Sequence, residues 1–427
     1  MSATRGSGVR WLVALGGAMA LALAALGVLS AHGTGGAGAP VPAQSAQDPL
    51  SVPFVGITTD GTPTPGLFPI RATGVSTGPV REAAAAFIEG LDPAQRDAAT
   101  FPFNALEWRQ WSNTSGYVRQ GVSFDEMSEA QRELAFHMLR EALSARGFEQ
   151  ARDIMRLNGH LAWLLDNHER YGEFLYWITV MGEPSETEPW GWQLDGHHLV
   201  VNYFVLGDQV VMTPTFMGSE PVVAESGPYA GTEVLQEEQD LGLAFMRALS
   251  PDQQAAARIA GSKTGNDAVA QAFRDNLVLD YEGIPVSDLD AGQVERLLEL
   301  VGIFVGNMPE GHARVRMEEV EAHLDETWFA WIGDTGPDAT FYFRIQSPVI
   351  LIEFDHQLPV ALDGPREPNR RHIHSVVRTP NGNDYGRDLL RQHYRAHADD
   401  PDHGHVHDAS GGHGHDASGG HSHDHER

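Results

Sequence analysis

Phe341-Tyr342-Phe343-Arg344-Ile345, then Val349-Ile350-Leu351-Ile352-Glu353-Phe354-Asp355-His356, then, after a loop, Arg371-His372-Ile373-His374-Ser375-Val376-Val377-Arg378 is the stretch that decides how this chain is read. Its short runs, rich in aromatic and β-branched residues, read as strands of a buried sheet. Side chains alternate along a strand, so His372 and His374 share a face with their backbones about 7 Å apart. Glu353 and Asp355 share one face of the neighbouring run, and His356 takes the other with Phe354. Imidazoles beside carboxylates are the donor set of a metal site.

Upstream, the pattern alternates between helical and strand periods. Four helix starts carry a capping residue followed three positions later by Gln: Asp92-Pro93-Ala94-Gln95, Ser128-Glu129-Ala130-Gln131, Ser250-Pro251-Asp252-Gln253 and Asp290-Ala291-Gly292-Gln293. The cap oxygen accepts from a free helix N–H, and the Gln returns a bond to the cap residue. Each pair is followed by another helix, an aromatic strand and paired strands. Phe174-Leu175-Tyr176-Trp177-Ile178 and Trp328-Phe329-Ala330-Trp331-Ile332 are the aromatic strands. The expectation is an α+β fold of two similar halves, about 80–225 and 232–390, each of helices followed by antiparallel strands, with helices packed on one side.

The chain has 427 residues, 41% of them hydrophobic, enough for one large core or two ordinary ones. The formal net charge is −29, from 58 acidic and 29 basic residues, which argues against nucleic acid as a partner. There is no cysteine, so disulfides, thiolate ligands and iron–sulfur clusters are excluded. Any metal is left to His and carboxylate donors, which suits a divalent transition ion: zinc, with copper or nickel as alternatives. Arg5 and Arg10 precede an apolar run from Trp11 to Leu29 that ends in Ser30 and Ala31. Residues 1–31 therefore read as a secretory signal sequence, or as an uncleaved N-terminal anchor, the only membrane contact expected. Export to the periplasm or the extracellular space follows. Residues 32–53, rich in Gly, Ala and Pro, read as a linker, 54–396 as the folded region and 397–427 as a disordered His-rich tail.

Four groups of residues can carry chemistry. Asp195-Gly196-His197-His198 leads into a strand, where neighbouring histidines face opposite ways; His198 then shares a face with Val200 and Asn202. Glu353 and Asp355 read as a metal ligand or general base, or else as ion-pair partners of Arg344 or Arg378. His372 and His374 read as a ligand pair, or as an anion-binding cluster with Arg370, Arg371 and Arg378. In the tail, His403, His405, His407, His413, His415, His421, His423 and His425 alternate with Asp, Gly and Ser, a composition suited to metal capture. Asp384, after Asn381-Gly382-Asn383, caps the last helix or orients a histidine from behind. No nucleophile elbow, phosphate loop, dinucleotide fingerprint or His-Glu-x-x-His helix is present.

At these residues the chain resembles an uncharacterised family of mostly exported proteins, domain of unknown function (DUF) 3500. The matching stretches are Phe101-Pro102-Phe103-Asn104, Gly191-Trp192-Gln193-Leu194-Asp195-Gly196-His197-His198-Leu199, Ile352-Glu353-Phe354-Asp355-His356, Arg371-His372-Ile373-His374-Ser375-Val376 and Asn383-Asp384-Tyr385-Gly386. The resemblance spans roughly 80–394 and implies no activity. The family pattern has Asn where this chain has His356, which argues against His356 as a ligand.

The residues support an exported metal-binding protein in which His197, His198, His372, His374 and Glu353 supply the ligands of a site between the halves. As an enzyme it would be a metal-dependent hydrolase with Glu353, Asp355 and Arg378 catalytic, Asp384 behind them, and a small-molecule substrate that the sequence leaves unnamed. The alternatives are a zinc- or copper-handling protein that stores or delivers metal, and a metal-free binder of an anionic ligand.

Overall fold

The computed structural model describes residues 48–398. The expected signal sequence at 1–31, residues 32–47 of the linker and residues 399–427 of the tail, with all eight tail histidines from His403 to His425, lie outside the described residues.

The chain opens with α1 (Gly78–Gly90), α2 (Pro93–Ala99), β1 (Thr100–Phe101), β2 (Val122–Ser123), α3 (Glu129–Ala142) and α4 (Ala145–Leu165). Next come β3 (Tyr176–Met181), β4 (Trp190–Gly196), β5 (Leu199–Leu206), β6 (Gln209–Val211) and β7 (Thr215–Ser219). A similar succession follows: α5 (Gln236–Ala248), α6 (Pro251–Ala257), β8 (Arg258–Ala260), β9 (Ile284–Pro285), α7 (Ala291–Val305) and α8 (Glu310–Ala322). It ends with β10 (Trp328–Gly333), β11 (Phe341–Gln346), β12 (Leu351–His356), β13 (Ile373–Arg378) and α9 (Arg387–Ala396). All four expected capping boxes form, at α2, α3, α6 and α7. Their glutamines also bond each other in pairs, Gln131 Nε2 to Gln95 Oε1 at 2.6 Å and Gln293 Nε2 to Gln253 Oε1 at 2.8 Å. No described helix is long and apolar enough to cross a membrane.

The fold is α+β. Among the described residues one 13-stranded sheet runs β1-β3-β4-β5-β7-β13-β12-β11-β10-β8, with β2, β6 and β9 paired off this path. Only β1–β3 and β8–β10 are parallel. The two series of strands meet where β7 pairs antiparallel with β13, Phe216 opposite Val376 and Gly218 opposite His374.

The two sheet faces are covered differently. On one, Ile178, Leu194, Met217, Phe343, Ile352 and Ile373 pack against Phe87, Leu139, Ile154, Phe245 and Leu297 of α1, α3, α4, α5 and α7. That apolar layer is the main core, worth about 25 cal/mol per Å² removed from water. On the other face Val200, Phe216, Leu351 and Val376 lie under loop residues Ile57, Phe68, Trp108, Trp111, Ala270 and Tyr385. By alternation His374, Glu353, Asp355 and Arg378 point to this loop-covered face. Irregular backbone buried there has N–H groups that no ladder satisfies, so polar side chains must supply acceptors.

Two boundaries differ from the sequence reading and matter for the site. β13 starts at Ile373, so His372 precedes the strand. His198 precedes β5 and has φ +64°, a left-handed conformation, so it is a turn residue and does not continue the strand face of Val200 and Asn202.

Candidate metal centre

Three imidazoles converge at the seam between β7 and β13. His372 Nε2 lies 3.0 Å from His374 Nε2 and 3.3 Å from His198 Nε2. Among the described residues, His198, His372 and His374 are the one group of three or more His, Cys, Asp or Glu whose donor atoms cluster closely enough to hold a metal ion, all within 4.8 Å and all buried. Tetrahedral zinc with Zn–N bonds of about 2.0–2.1 Å sets its ligand nitrogens about 3.3 Å apart, so the spacing fits.

The convergence has local causes. Gly218 N donates to the His198 carbonyl at 2.8 Å and His198 N to the Asn113 carbonyl at 3.1 Å, which hold the turn. A Cβ on Gly218 would lie 2.6 Å from Ile373 O and 3.1 Å from His374 Cδ2, so only glycine leaves room for this ring. His372, freed from the pleat, turns its ring to 83° from that of His374, with centroids 4.8 Å apart. The two rings therefore do not lie parallel, and this turn is what lets the two nitrogens meet.

The far side of each ring settles its tautomer. His372 Nδ1 is 2.7 Å from the Leu358 carbonyl, and His374 Nδ1 is 3.1 Å from Gln271 Oε1, which also accepts from Asn113 Nδ2. Both partners are acceptors, so both Nδ1 atoms carry the proton and both Nε2 atoms present lone pairs. Burial holds His198 and His374 well below the ordinary imidazole range, and neighbouring imidazoles push the same way. Burial also lowers His372, against the pull of Glu220. Two lone pairs 3.0 Å apart on rings that resist protonation repel each other unless a cation stands between them.

The carboxylates are elsewhere, which corrects the expected site. Glu353 is not among the converging donors: it accepts from Val269 N at 2.9 Å, Ala270 N at 2.7 Å and the Tyr342 hydroxyl at 2.7 Å. Asp355 accepts from Asp267 N and Ala268 N at 2.8 and 3.0 Å and pairs with Lys263 at 2.9 Å. Burial raises both, Asp355 to about 7 against the pull of Lys263. Arg378 donates to the Ala270 and Gln271 carbonyls and pairs with Asp275 and Asp384. None of the three residues expected to be catalytic reaches the triad. Together they bind down the loop at 263–275, and that loop presents Gln271 to His374. Asp384 accepts from Thr379 N at 2.7 Å and steadies Arg378, so it orients a histidine only through that loop.

His197 also stands outside the group. Its Nδ1 meets Asn158 Oδ1 at 2.9 Å, and its ring stacks on His198 with centroids 3.9 Å apart. His356 is tied to Gln239 Oε1 and Phe341 N, both at 2.9 Å, on the helix-covered face. Three residues the sequence reading missed complete the surroundings. They are Gln271, Gly218 and Glu220, the last accepting from Val360 N, Ala361 N and Leu362 N and so fixing the loop that carries the Leu358 carbonyl. A lone glycine in a strand hints at close approach and marks Gly218; nothing in the sequence marks Gln271.

No curated protein and no solved structure matches this chain. A family model described as protein of unknown function (DUF3500) matches residues 73–387, which contain all three histidines, and the chain belongs to that family.

Proposed function

We propose that this is an exported metalloprotein in which His198, His372 and His374 hold one divalent transition ion, zinc first and copper or nickel as alternatives. The observation that carries the reading is the pair of Nε2 lone pairs on His372 and His374, 3.0 Å apart with both Nδ1 protons engaged behind them. Among the described residues, three protein ligands with no fourth donor in the group is the pattern of a reactive zinc site, where structural zinc has four. This favours metal-assisted chemistry on a small molecule, hydrolysis being the simplest class, with the metal as Lewis acid. Glu353 and Asp355 are not available as its base.

A second reading, storage or delivery of zinc or copper, draws on the composition of the His-rich tail. The two readings part on whether the triad's metal turns over a substrate or is handed on. The metal reading itself is tested by elemental analysis of the full chain and of its His198→Ala/His372→Ala/His374→Ala variant, both dialysed against a weak chelator. The expected result is one more equivalent of metal on the native chain. Equal metal on both would sink the proposal.

A further inference from the structure

We infer that the triad's metal takes a small anion from solution as its fourth ligand. This rests on the metal reading above. Three neutral imidazoles leave a divalent ion its full charge, and a buried charge calls for a counter-charge. Among the described residues no carboxylate joins the converging donors, and Glu220, behind His372, offsets only part of that charge. The acceptors behind the rings, Gln271 Oε1 and the Leu358 carbonyl, are neutral. Glu220, 3.7 Å from His372 Nδ1, faces the back of that ring and is taken up by the N–H groups of Val360, Ala361 and Leu362. Glu353 and Asp355 are engaged as described.

Two arginines lie on the His197 side of the triad. His197, partly exposed, stacks on His198, and Tyr171 lies 5.4 Å beyond it. Arg119 and Arg170 both bear on His197. Arg119 is paired with Asp195 at 3.1 Å. Arg170 lies over the Tyr171 ring at 5.7 Å, bonds Ser115 Oγ at 3.0 Å and has no carboxylate partner among the described residues. A guanidinium placed there attracts a small anion, a carboxylate or similar monoanion, toward that side of the triad.

The test uses the full chain loaded with cobalt(II), with sodium azide as the probe at constant ionic strength. Tail-bound cobalt is removed by subtracting the visible spectrum of His374→Ala. His198→Asn is the second reference, because Asn tolerates the left-handed backbone if the first variant misfolds. A difference band that shifts saturably with azide, and an azide affinity several-fold weaker in Arg170→Gln, are the expected results. A band that azide leaves unmoved means a closed site and overturns this inference alone. Absence of any difference band overturns both this inference and the metal reading. Azide binding unchanged in Arg170→Gln overturns the role given to Arg170.

Discussion

His198 has a left-handed backbone, a conformation that costs a non-glycine residue on the order of 1–3 kcal/mol and persists where the surroundings over-determine it. Here Asn113, Gly218 and the facing histidines do so. Behind His374, Gln271 is the residue whose loss separates support from ligation. Gln271→Ala should weaken metal binding about tenfold to a hundredfold without abolishing it, measured by competition with a chromophoric chelator, and Gln271→Glu should restore it. Glu353→Ala should behave differently. It strands the N–H groups of Val269 and Ala270 and the Tyr342 hydroxyl, at about 1–3 kcal/mol each, so urea unfolding of the metal-free protein should shift by several kcal/mol. The His-x-His pair was legible in the sequence because the two residues are neighbours in the chain. The part of Glu353 was not, because alternation tells which face a side chain takes and not which loop crosses above it.

Strand β13 and its partner β7 bring the site together, and the narrow point is Gly218. Gly218→Ala should lower stability by about 1–3 kcal/mol and metal affinity with it, since the added methyl must displace Ile373 O or the His374 ring. A circular-dichroism melt with and without zinc would read both effects. Strand β12 carries a separate acid sensitivity on its other face. Burial pushes His356 down from 6.5 to about 3. Between those values the unfolded chain holds the proton and the folded chain does not. The group's stabilising effect is therefore intact above pH 6.5 and declines as pH falls, by about 1.4 kcal/mol per unit. Asp355, raised to about 7, acts with the opposite sign below that pH, but equally in a variant that changes only His356. The gap in unfolding free energy between native protein and His356→Asn should thus be constant above pH 6.5 and shift in the variant's favour below it. The strands themselves were readable from the Phe341-Tyr342-Phe343 and Leu351-Ile352 runs. The start of β13 was not, because Arg371 and His372 continue the same alternation after the ladder has ended.

Across the molecule, the same order of helices and strands lies on both sides of the β7–β13 seam, and β4–β5 pairs Gln193 with Asn202 where β11–β12 pairs Arg344 with Glu353. We propose that the two halves arose by duplication, with His198 contributed by one and His372 and His374 by the other. The capping boxes made the repeated order visible in sequence. That both halves share one sheet was not visible, because β7 and β13 pair across the 153 residues between Ser219 and Ile373, which carry no signal of the pairing. Removing residues 399–427 should leave the triad's equivalent of metal in place, read by elemental analysis after chelator dialysis. At free zinc near 100 times the dissociation constant, the intact site should stabilise the fold by about 2.7 kcal/mol, and His374→Ala should lose that gain in a melt. The most direct measurement is anomalous scattering at the zinc edge from zinc-soaked crystals. The expected result is a single peak at the seam, about 2.0–2.1 Å from Nε2 of His198, His372 and His374, with Glu353 still bonded to Val269 and Ala270. No peak among the three rings, or a zinc held by Glu353, would contradict it.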